Sequence, residues 1–427
     1  MSWAVLLAGA VGLLLALLFT GMRVFAAFLV LNLAGLMVLI GPRGFGLFTN
    51  SLYETATSQS LATVALFVLM GEVLFRSGSV EVLFDGIDRL VGRMRGRLYV
   101  VTVALSTVFG ALSGSAVAVA AMLGRSVLPS MLARGYDGRR SAATVLAGAS
   151  LAPIIPPSLL AIIVGSLADV SIAGLLVAGI LPGLLFAALT LAWVLTRGAP
   201  PPPQPEAASG SVAGALFRIA PFLLVVGSVM GLILAGIATP SESAATGVAG
   251  ALLVAALQRR LSWPMLKDAI GGAVQTTCVI LVIVCAAKLF SQLLSLAGAT
   301  RGLVALIGDL GLGADATFLL MMLVPFVLCM FIDQIAFMLL AVPIYVPLVA
   351  AQGYDPIWFW TLFLINLTVG SLTPPFGYTL FALKGATDVS TREVFAAAWP
   401  VVGIFVLGMA ILWAAPGIVT LIPGAMR

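Results

Sequence analysis

The chain has 427 residues; 62% of them are hydrophobic, only 9% are charged, and the net charge is +5. A soluble domain carries roughly 25% charged residues, so this composition excludes an ordinary soluble protein and predicts a polytopic helical membrane protein. There is no His, which removes His-based acid/base catalysis and His metal sites. The basic residues form short clusters between apolar segments. That pattern indicates orientation in a membrane, and we expect no nucleic-acid partner.

The first half of the chain contains five apolar segments that are long enough, or nearly so, to cross a bilayer. They are Trp3–Phe19, Val24–Ile40, Leu61–Phe75, Ser141–Val164 and Ile172–Leu195. Between the third and the fourth, Ser79–Arg97 places Val82, Leu83, Ile87 and Leu90 on one helical face. This spacing predicts an amphipathic helix in the headgroup plane rather than a solvated connector.

A Pro-rich polar segment that begins at Gly198 reads as an extended linker between two halves. Five more apolar segments follow it: Leu216–Gly236, Ser243–Leu257, Ile270–Phe290, Ile357–Leu380 and Phe395–Leu412. A weaker amphipathic segment lies near Thr300–Asp315. Cys278, Cys285 and Cys329 all fall in apolar stretches, so we expect three buried, unpaired thiols.

The two halves repeat a pattern of helix-breaking residues. Gly135-Tyr136-Asp137 recurs as Gly353-Tyr354-Asp355, 218 residues further on (353 minus 135). The same shift carries Pro156-Pro157 onto Pro374-Pro375. Broken helices in a duplicated apolar chain are typical of a secondary transporter.

Two further apolar segments, Leu98–Pro129 and Phe318–Pro347, occupy matching places in the halves. Each has a break near its middle, at Ser113-Gly114-Ser115 and at Ile332-Asp333-Gln334, and the shift superimposes Ser115 on Asp333. We interpret each segment as a re-entrant hairpin, because non-helical backbone is tolerated at membrane depth only where protein or a water-filled cavity covers it.

Five crossings and one hairpin per half predict an all-α fold of two inverted-topology repeats, since five is odd. The expected divisions are a first repeat, 1–197, a linker, 198–212, and a second repeat, 213–427. Within them we expect the amphipathic arm at about 79–97, hairpins at about 98–129 and 318–347, and broken helices at 153–158 and 373–377. A periplasmic N-terminus and a cytoplasmic linker would leave most basic residues in the cytoplasm, as the distribution of positive charge requires.

An ordered set of motifs resembles one known family. In the first half it comprises Ser113-Gly-Ser-Ala-Val-Ala118, Leu128-Pro-Ser-Met131, Ile154-Ile-Pro-Pro-Ser158 and Ala178-Gly-Ile-Leu-Pro-Gly183. In the second half it comprises Thr239-Pro-Ser-Glu-Ser-Ala-Ala245 and Thr373-Pro-Pro-Phe-Gly377. Over essentially its whole length the chain resembles the large membrane subunit of tripartite ATP-independent periplasmic (TRAP) transporters. Phe331-Ile-Asp333 and the residues after Thr373 resemble the branch labelled mannitol/chloroaromatic.

The resemblance implies a Na⁺-driven elevator in the bacterial inner membrane. It implies two partners, a small four-helix membrane subunit and a periplasmic binding protein that delivers an organic acid anion. The branch implies a monocarboxylate, a 2-oxo acid or an aromatic acid as the substrate. Many members of the family carry an acidic residue shortly before Thr-Pro-Pro, where this chain has Thr368 and Val369.

The resemblance places Na⁺ at the hairpin tips and the Pro-Pro breaks, and the residues themselves favour the same places. Na⁺ prefers oxygen ligands, and Pro frees a backbone carbonyl by removing an amide. One predicted site has Ser113, Gly114 and Ser115 facing Pro156, Pro157 and Ser158. The other has Asp333, an acid inside an apolar run, facing Thr373, Pro374 and Pro375. The alternative for the first site is that small residues only allow close helix packing. The alternative for Asp333 is a structural pair with a Lys or Arg from another crossing.

The predicted substrate-binding residues are Ser113, Gly114, Ser115, Ser158, Asn366 and Thr373. Asn366 could instead only bridge helices. Glu242 fits a helix-capping pattern with Thr239, with a role near the second hairpin as the alternative. Arg125 could meet a substrate carboxylate but is better explained as reaching the cytoplasmic interface. Glu72 and Lys288 are interpreted in the same way, near the ends of crossings.

Three other functions are alternatives to that of a TRAP transporter subunit. A stand-alone Na⁺/anion symporter of a related inverted-repeat fold would need no binding protein. An intramembrane enzyme is disfavoured, because the sequence has no zinc motif, nucleophile elbow or paired intramembrane carboxylates. A channel fits a duplicated pair of hairpins less well than alternating access does.

Overall fold

The structure, a computed structural model, describes residues 2–92, 94–196 and 212–426. Within these ranges every regular element is helical, so the prediction of an all-helical polytopic membrane fold is confirmed. Seven helices of the described chain are long and apolar enough to cross a membrane, or eight if one bent pair counts as a span. Two of the seven, 116–133 and 334–352, are the outgoing arms of the hairpins. The other five correspond to predicted crossings, and the five remaining predicted crossings are shorter or broken apolar helices.

The described residues of the first half form twelve helices and a 3-10 turn at Gly41–Gly44. The helices are α1 Trp3–Phe19, α2 Val24–Leu39, α3 Phe45–Ala56, α4 Gln59–Arg76, α5 Ser79–Val91, α6 Arg97–Ser113, α7 Ala116–Ser126, α8 Leu128–Ala133, α9 Gly138–Ala149, α10 Leu159–Ala168, α11 Ile172–Ala178 and α12 Ile180–Thr196. The arm is α5. The predicted crossing Ser141–Val164 consists of α9 and α10, separated by an unwound stretch that begins at Ser150, three residues before its predicted start.

Residues 212–426 form ten helices. They are α13 Val212–Leu234, α14 Pro240–Leu257, α15 Trp263–Leu296, α16 Ala299–Asp309, α17 Ala314–Leu328, α18 Gln334–Gln352, α19 Pro356–Leu372, α20 Tyr378–Gly385, α21 Thr391–Ala414 and α22 Gly417–Ala425. Nearly all of the predicted linker lies outside the described residues. The helix α16 is the counterpart of α5 in this half and lies between the long helix α15 and α17, the first arm of the second hairpin.

The Gly-Tyr-Asp motif does the same structural work in both halves. Gly135 and Gly353 have φ of +76° and +70°, a left-handed conformation that ends the preceding helix without a Cβ penalty. Asp137 caps α9 by accepting the amide of Arg140 at 2.8 Å, and Asp355 caps α19 by accepting that of Trp358 at 2.9 Å. Each motif therefore turns the chain out of a hairpin and starts the next helix.

The tyrosine of the motif holds the base of each hairpin. The Tyr136 hydroxyl accepts the backbone amide of Leu98, at the start of α6, at 3.2 Å. The Tyr354 hydroxyl donates to the carbonyl of Ala314, at the start of α17. Both bonds tie the beginning of the incoming arm to the corner that follows the outgoing arm. Tyr136 accepts from an amide and Tyr354 donates to a carbonyl, but the two hydrogen bonds, which we call the fastenings of the hairpin bases, lie at equivalent positions.

Helices of each repeat pack against helices of the other, and the pairs correspond between the repeats. The helix α4 packs on α14 of the other repeat, and its counterpart α15 packs on α2. Likewise α7 packs on α20, and its counterpart α18 packs on α10. Helices α1 to α5 and α13 to α16 form one module, which we call the scaffold. The hairpins, the broken helices and the helices after them form the second module.

One expectation from the sequence is wrong, and one helix was not predicted. Cys278 is exposed on the outer side of α15, whereas Cys285 and Cys329 are buried as expected. The segment Phe45–Ala56 is a helix that no apolar run announced, because Ser51, Thr55 and neighbouring polar residues interrupt its hydrophobicity. Its Ser51 hydroxyl donates to Gln292 of α15 at 2.7 Å, so contact with another helix stabilises it.

Candidate ion and substrate site at the hairpin tips

The first hairpin turns at Gly114. Its φ of +60° is left-handed and ends α6, and Ser115 then caps α7 by accepting the amide of Ala118 at 3.3 Å. The Ser113 hydroxyl accepts the amide of Ser115 at 3.4 Å. The tip is therefore a short unwound loop that carries two hydroxyl groups and no formal charge.

The first broken helix meets this tip directly. A Cβ built on Gly114 would lie 3.0 Å from the backbone nitrogen of Leu159, the first residue of α10. Just before it, Ser158 accepts the amide of Ala161 at 3.2 Å and donates to the carbonyl of Pro153 at 2.6 Å. The contact brings Ser113-Gly114-Ser115 against the end of the Pro-Pro segment.

The Pro156–Pro157 bond is cis, as is Pro374–Pro375 at the matching place in the other repeat. The carbonyls of Pro156 and Pro157 receive no backbone hydrogen bond from the described residues. Free carbonyl oxygens of this kind can serve as ligands for a hard cation.

The second hairpin turns at Asp333. One carboxylate oxygen accepts the amides of Ile335 and Ala336, at 2.9 Å and 3.3 Å, and so caps α18. The charge therefore lies at the positive end of a helix, which stabilises an anionic side chain there. Unlike the first tip, the second tip carries a carboxylate.

The second broken helix lies against the second tip. Phe331 of the tip and Phe376 of the break have ring centroids 5.9 Å apart. Thr373 is fully buried and donates its hydroxyl to the carbonyl of Val369 at 2.6 Å. The second pair of hairpin and break thus adjoin one another like the first.

Asn366 joins two helices. Its amide nitrogen donates to the carbonyl of Met322, so it fastens α19 to α17. Ser158, Asn366 and Thr373 are all buried, and none of them lines the large cavity described next. Glu242 and Thr239 form a reciprocal capping box at the start of α14, which confirms the capping interpretation.

A cavity of about 660 Å³ lies between the two modules and reaches both tips. The hairpins contribute Ser113, Gly114, Ser115 and Gln334 to its wall, and the scaffold contributes α4 and α15. The side-chain oxygen of Gln334 is buried and has no hydrogen-bond partner among the described residues. An unpaired buried carbonyl oxygen is costly, so this oxygen is available to accept a hydrogen bond or to bind a cation.

Sequence reasoning missed four polar residues of this wall: Glu72, Arg76, Gln275 and Thr276. Glu72 lies near the end of its predicted crossing, and this position predicted an interfacial role. Gln275 and Thr276 lie in the middle of α15, and a polar pair inside so apolar a helix was the signal that could have found them.

The fold and the paired tips define a transporter of the broken-helix class. The sequence profile of the family described as "Tripartite ATP-independent periplasmic transporter, DctM component" matches residues 11–418. This chain therefore belongs to that family, as its resemblance predicted, and is a multi-pass transporter permease component rather than an enzyme. Membership implies a small membrane subunit and a periplasmic binding protein as partners.

Curated relatives agree with this membership. The chain is 30% identical over 364 residues to the ectoine TRAP transporter large permease protein TeaC of Halomonas elongata, covering 83% of each chain. It is 30% identical over 377 residues to the 2,3-diketo-L-gulonate TRAP transporter large permease protein YiaN of Escherichia coli, covering 86% of this chain and 88% of the relative. It is 28% identical over 416 residues to the sialic acid protein SiaM of Vibrio cholerae, covering 96% of each.

One solved structure shares the fold. The YdaH transporter of Alcanivorax borkumensis matches with a TM-score of 0.64 at 15% identity, covering 88% of this chain and 89% of that one. At this identity the similarity concerns the arrangement of helices alone.

Proposed function

We propose that this chain carries a small organic acid anion across the bacterial inner membrane together with Na⁺. The observation that carries the proposal is the paired arrangement of hairpin tip and broken helix, twice over, beside a cavity of about 660 Å³. Unwound helices expose carbonyl oxygens and helix N-termini at one place, which suits a cation and an anion together.

Two Na⁺ positions are proposed. The first uses Ser113, Gly114 and Ser115 with Pro156, Pro157 and Ser158. The second uses Asp333 with Thr373 and Pro374, and its formal charge offsets the charge of the ion. The proposed substrate-binding residues are Ser113, Gly114 and Ser115, which line the cavity, and Ser158, Asn366 and Thr373, which are buried outside its wall.

The proposed motion is an elevator, in which the hairpins and broken helices slide as a unit past the scaffold. It is supported by the reciprocal packing of α4 on α14 and of α15 on α2, which joins scaffold helices of one repeat to those of the other. The Tyr136 and Tyr354 fastenings would keep each hairpin base closed during the movement. We further propose that the N-terminus is periplasmic and the linker cytoplasmic, because this orientation keeps the basic clusters inside.

The substrate class is proposed from the branch resemblance: a monocarboxylate, a 2-oxo acid or an aromatic acid. Relatives named for ectoine, diketogulonate, sialic acid and C4-dicarboxylates show how widely substrates vary in this family. In a tripartite system the binding protein would make most of the selection.

Uptake into proteoliposomes tests the proposal. The complex of this chain with its small subunit would be reconstituted and supplied with labelled pyruvate, lactate, benzoate or succinate. Accumulation that requires both the binding protein and an inward Na⁺ gradient is the expected result. Accumulation without the binding protein would favour the stand-alone symporter, and accumulation without the gradient would refute Na⁺ coupling.

A further inference from the structure

The charged residues in the wall of the large cavity are Glu72 and Arg76, both on α4. The Arg76 Nε donates to a Glu72 carboxylate oxygen at 2.7 Å. The Glu72 side chain is 28% exposed and the Arg76 side chain 37%, so both are partly buried but accessible from the cavity. Neither side chain is claimed by the tip sites, which lie across the cavity on the other module.

The bond between them leaves most of the guanidinium unused. Arg76 forms no other hydrogen bond within the described residues, so both of its terminal nitrogens remain available. A guanidinium presents five donors in a planar fork that matches a carboxylate through two parallel bonds. A single bond through Nε is therefore a partial use of this side chain.

The opposing helix is shaped to admit the pair. A Cβ built on Gly272 of α15 would lie 2.9 Å from the Glu72 carboxyl group and 3.2 Å from an Arg76 terminal nitrogen. The adjacent Gly271 has nothing within 4 Å of its Cβ position. Gln275 and Thr276 continue the polar surface along the cavity wall from this point.

We propose that Arg76 is a carboxylate-binding subsite on the fixed wall of the cavity, and that Glu72 occupies it when no substrate is present. A substrate carboxylate leaving the tips would exchange with the Glu72 carboxylate on the Arg76 guanidinium. Glu72 then recovers its partner as the anion departs. The inference rests on the proposed anion transport and adds a second, release-side contact to it.

This competition makes opposite predictions for the two partners. Glu72→Gln removes the resident carboxylate and leaves Arg76 free, so anion binding becomes a few-fold tighter. Arg76→Gln removes the bidentate donor, and anion binding becomes about tenfold weaker. A pair that only stabilises α4 predicts no such opposition, because either change would break the same bond.

The test measures thermal unfolding of the purified complex with its small subunit in Na⁺ buffer. Sodium pyruvate, lactate, benzoate and succinate would each be titrated, with benzamide and lactamide as uncharged counterparts. The apparent Kd of each stabilising carboxylate is compared among the wild type, Glu72→Gln, Arg76→Gln and the double variant. Arg260→Gln, an exposed arginine between α14 and α15, controls for the loss of one positive charge.

The expected result is a lower Kd for Glu72→Gln, a higher one for Arg76→Gln, and a double variant that resembles Arg76→Gln. Gly272→Ala should also change the Kd, while Gly271→Ala should not. If carboxylates stabilise the wild type but the two single variants shift the Kd in the same direction, or not at all, the subsite is refuted. If none of the four carboxylates stabilises the wild type, the proposed substrate class itself is wrong, and the subsite with it.

Discussion

The two pairs of hairpin and broken helix share a backbone plan but reach it with different side chains. In the first pair the close approach is made by the hairpin: a Cβ on Gly110 of α6 would lie 2.8 Å from the Ala152 Cα. In the second it is made by the broken helix: a Cβ on Gly370 of α19 would lie 2.5 Å from the Cys329 Cβ. Position 370 is the counterpart of position 152, so the glycine has changed sides while the contact has remained.

The two tips also differ in charge, although their backbones follow the same path. Ser115 and Asp333 occupy equivalent positions and both cap the outgoing arm, but only Asp333 brings a carboxylate. Duplication has thus preserved the path of the chain, whereas the side chains at the two tips have diverged. The second position is therefore the one expected to dominate the response to Na⁺.

The largest effect is expected from Asp333→Asn. Asn is also a good N-cap, so α18 should form while the formal charge is lost. The Na⁺ concentration for half-maximal thermal stabilisation should rise by at least about tenfold. Asp355→Asn is the matched control, since Asp355 also caps a helix by accepting the amide three residues ahead, but away from the tips. A Na⁺ response that Asp333→Asn leaves unchanged would remove the residue from the site.

A second test concerns the close approach that changed sides. Gly370→Ala and Gly110→Ala should each destabilise the protein by about 1–3 kcal/mol, because the new methyl group overlaps atoms of the adjoining helix. Gly403→Ala, on α21 with nothing within 4 Å of its Cβ position, should be neutral or slightly stabilising. Thermal unfolding measures all three. Tolerance of alanine at both 110 and 370 would contradict the packing described.

A smaller effect is expected at the uncharged tip. Ser115→Ala removes the cap of α7 and one hydroxyl ligand, which should cost about 1 kcal/mol and raise the Na⁺ requirement a few-fold. Ser262→Ala removes a comparable cap from α15, far from the tips, and should lower stability alone. The Na⁺ titration separates them: equal Na⁺ requirements in the two variants would leave Ser115 with a packing role only.

The smallest effects are expected at the fastenings of the hairpin bases. Tyr136→Phe and Tyr354→Phe each remove one hydrogen bond, worth about 1 kcal/mol. Because the two tyrosines hold equivalent corners, their losses should be similar, as measured by thermal unfolding. A loss confined to one repeat would show that the corners, like the tips, have diverged.

Much of this plan was predictable because helix-breaking residues act locally. Ser115, Asp333 and both Pro-Pro pairs interrupt apolar runs, and the 218-residue shift superimposes Ser115 on Asp333 and one Pro-Pro pair on the other. The Gly-Tyr-Asp corner was predictable as a turn, but the hydroxyl bonds of Tyr136 and Tyr354 to distant helix starts were not. Those bonds depend on how helices pack, which a single sequence does not encode in any local pattern.

The cavity wall was less predictable for the same reason. Glu72 and Arg76 are separated from Gly272 by almost half the chain, and only the packing of α4 on α15 brings them together. A charged residue one turn from a helix end looks the same in sequence whether it faces headgroups or a cavity. Asn366 likewise could bind a ligand or bridge helices, and only its bond to Met322 shows the bridge.

Binding of ²²Na⁺ to the purified complex shows whether the hairpin tips hold Na⁺. We expect saturable binding that unlabelled Na⁺ displaces and K⁺ does not, with a large loss of affinity in Asp333→Asn and a small one in Ser115→Ala. Absence of saturable binding to the wild type, or full affinity in Asp333→Asn, would contradict this expectation.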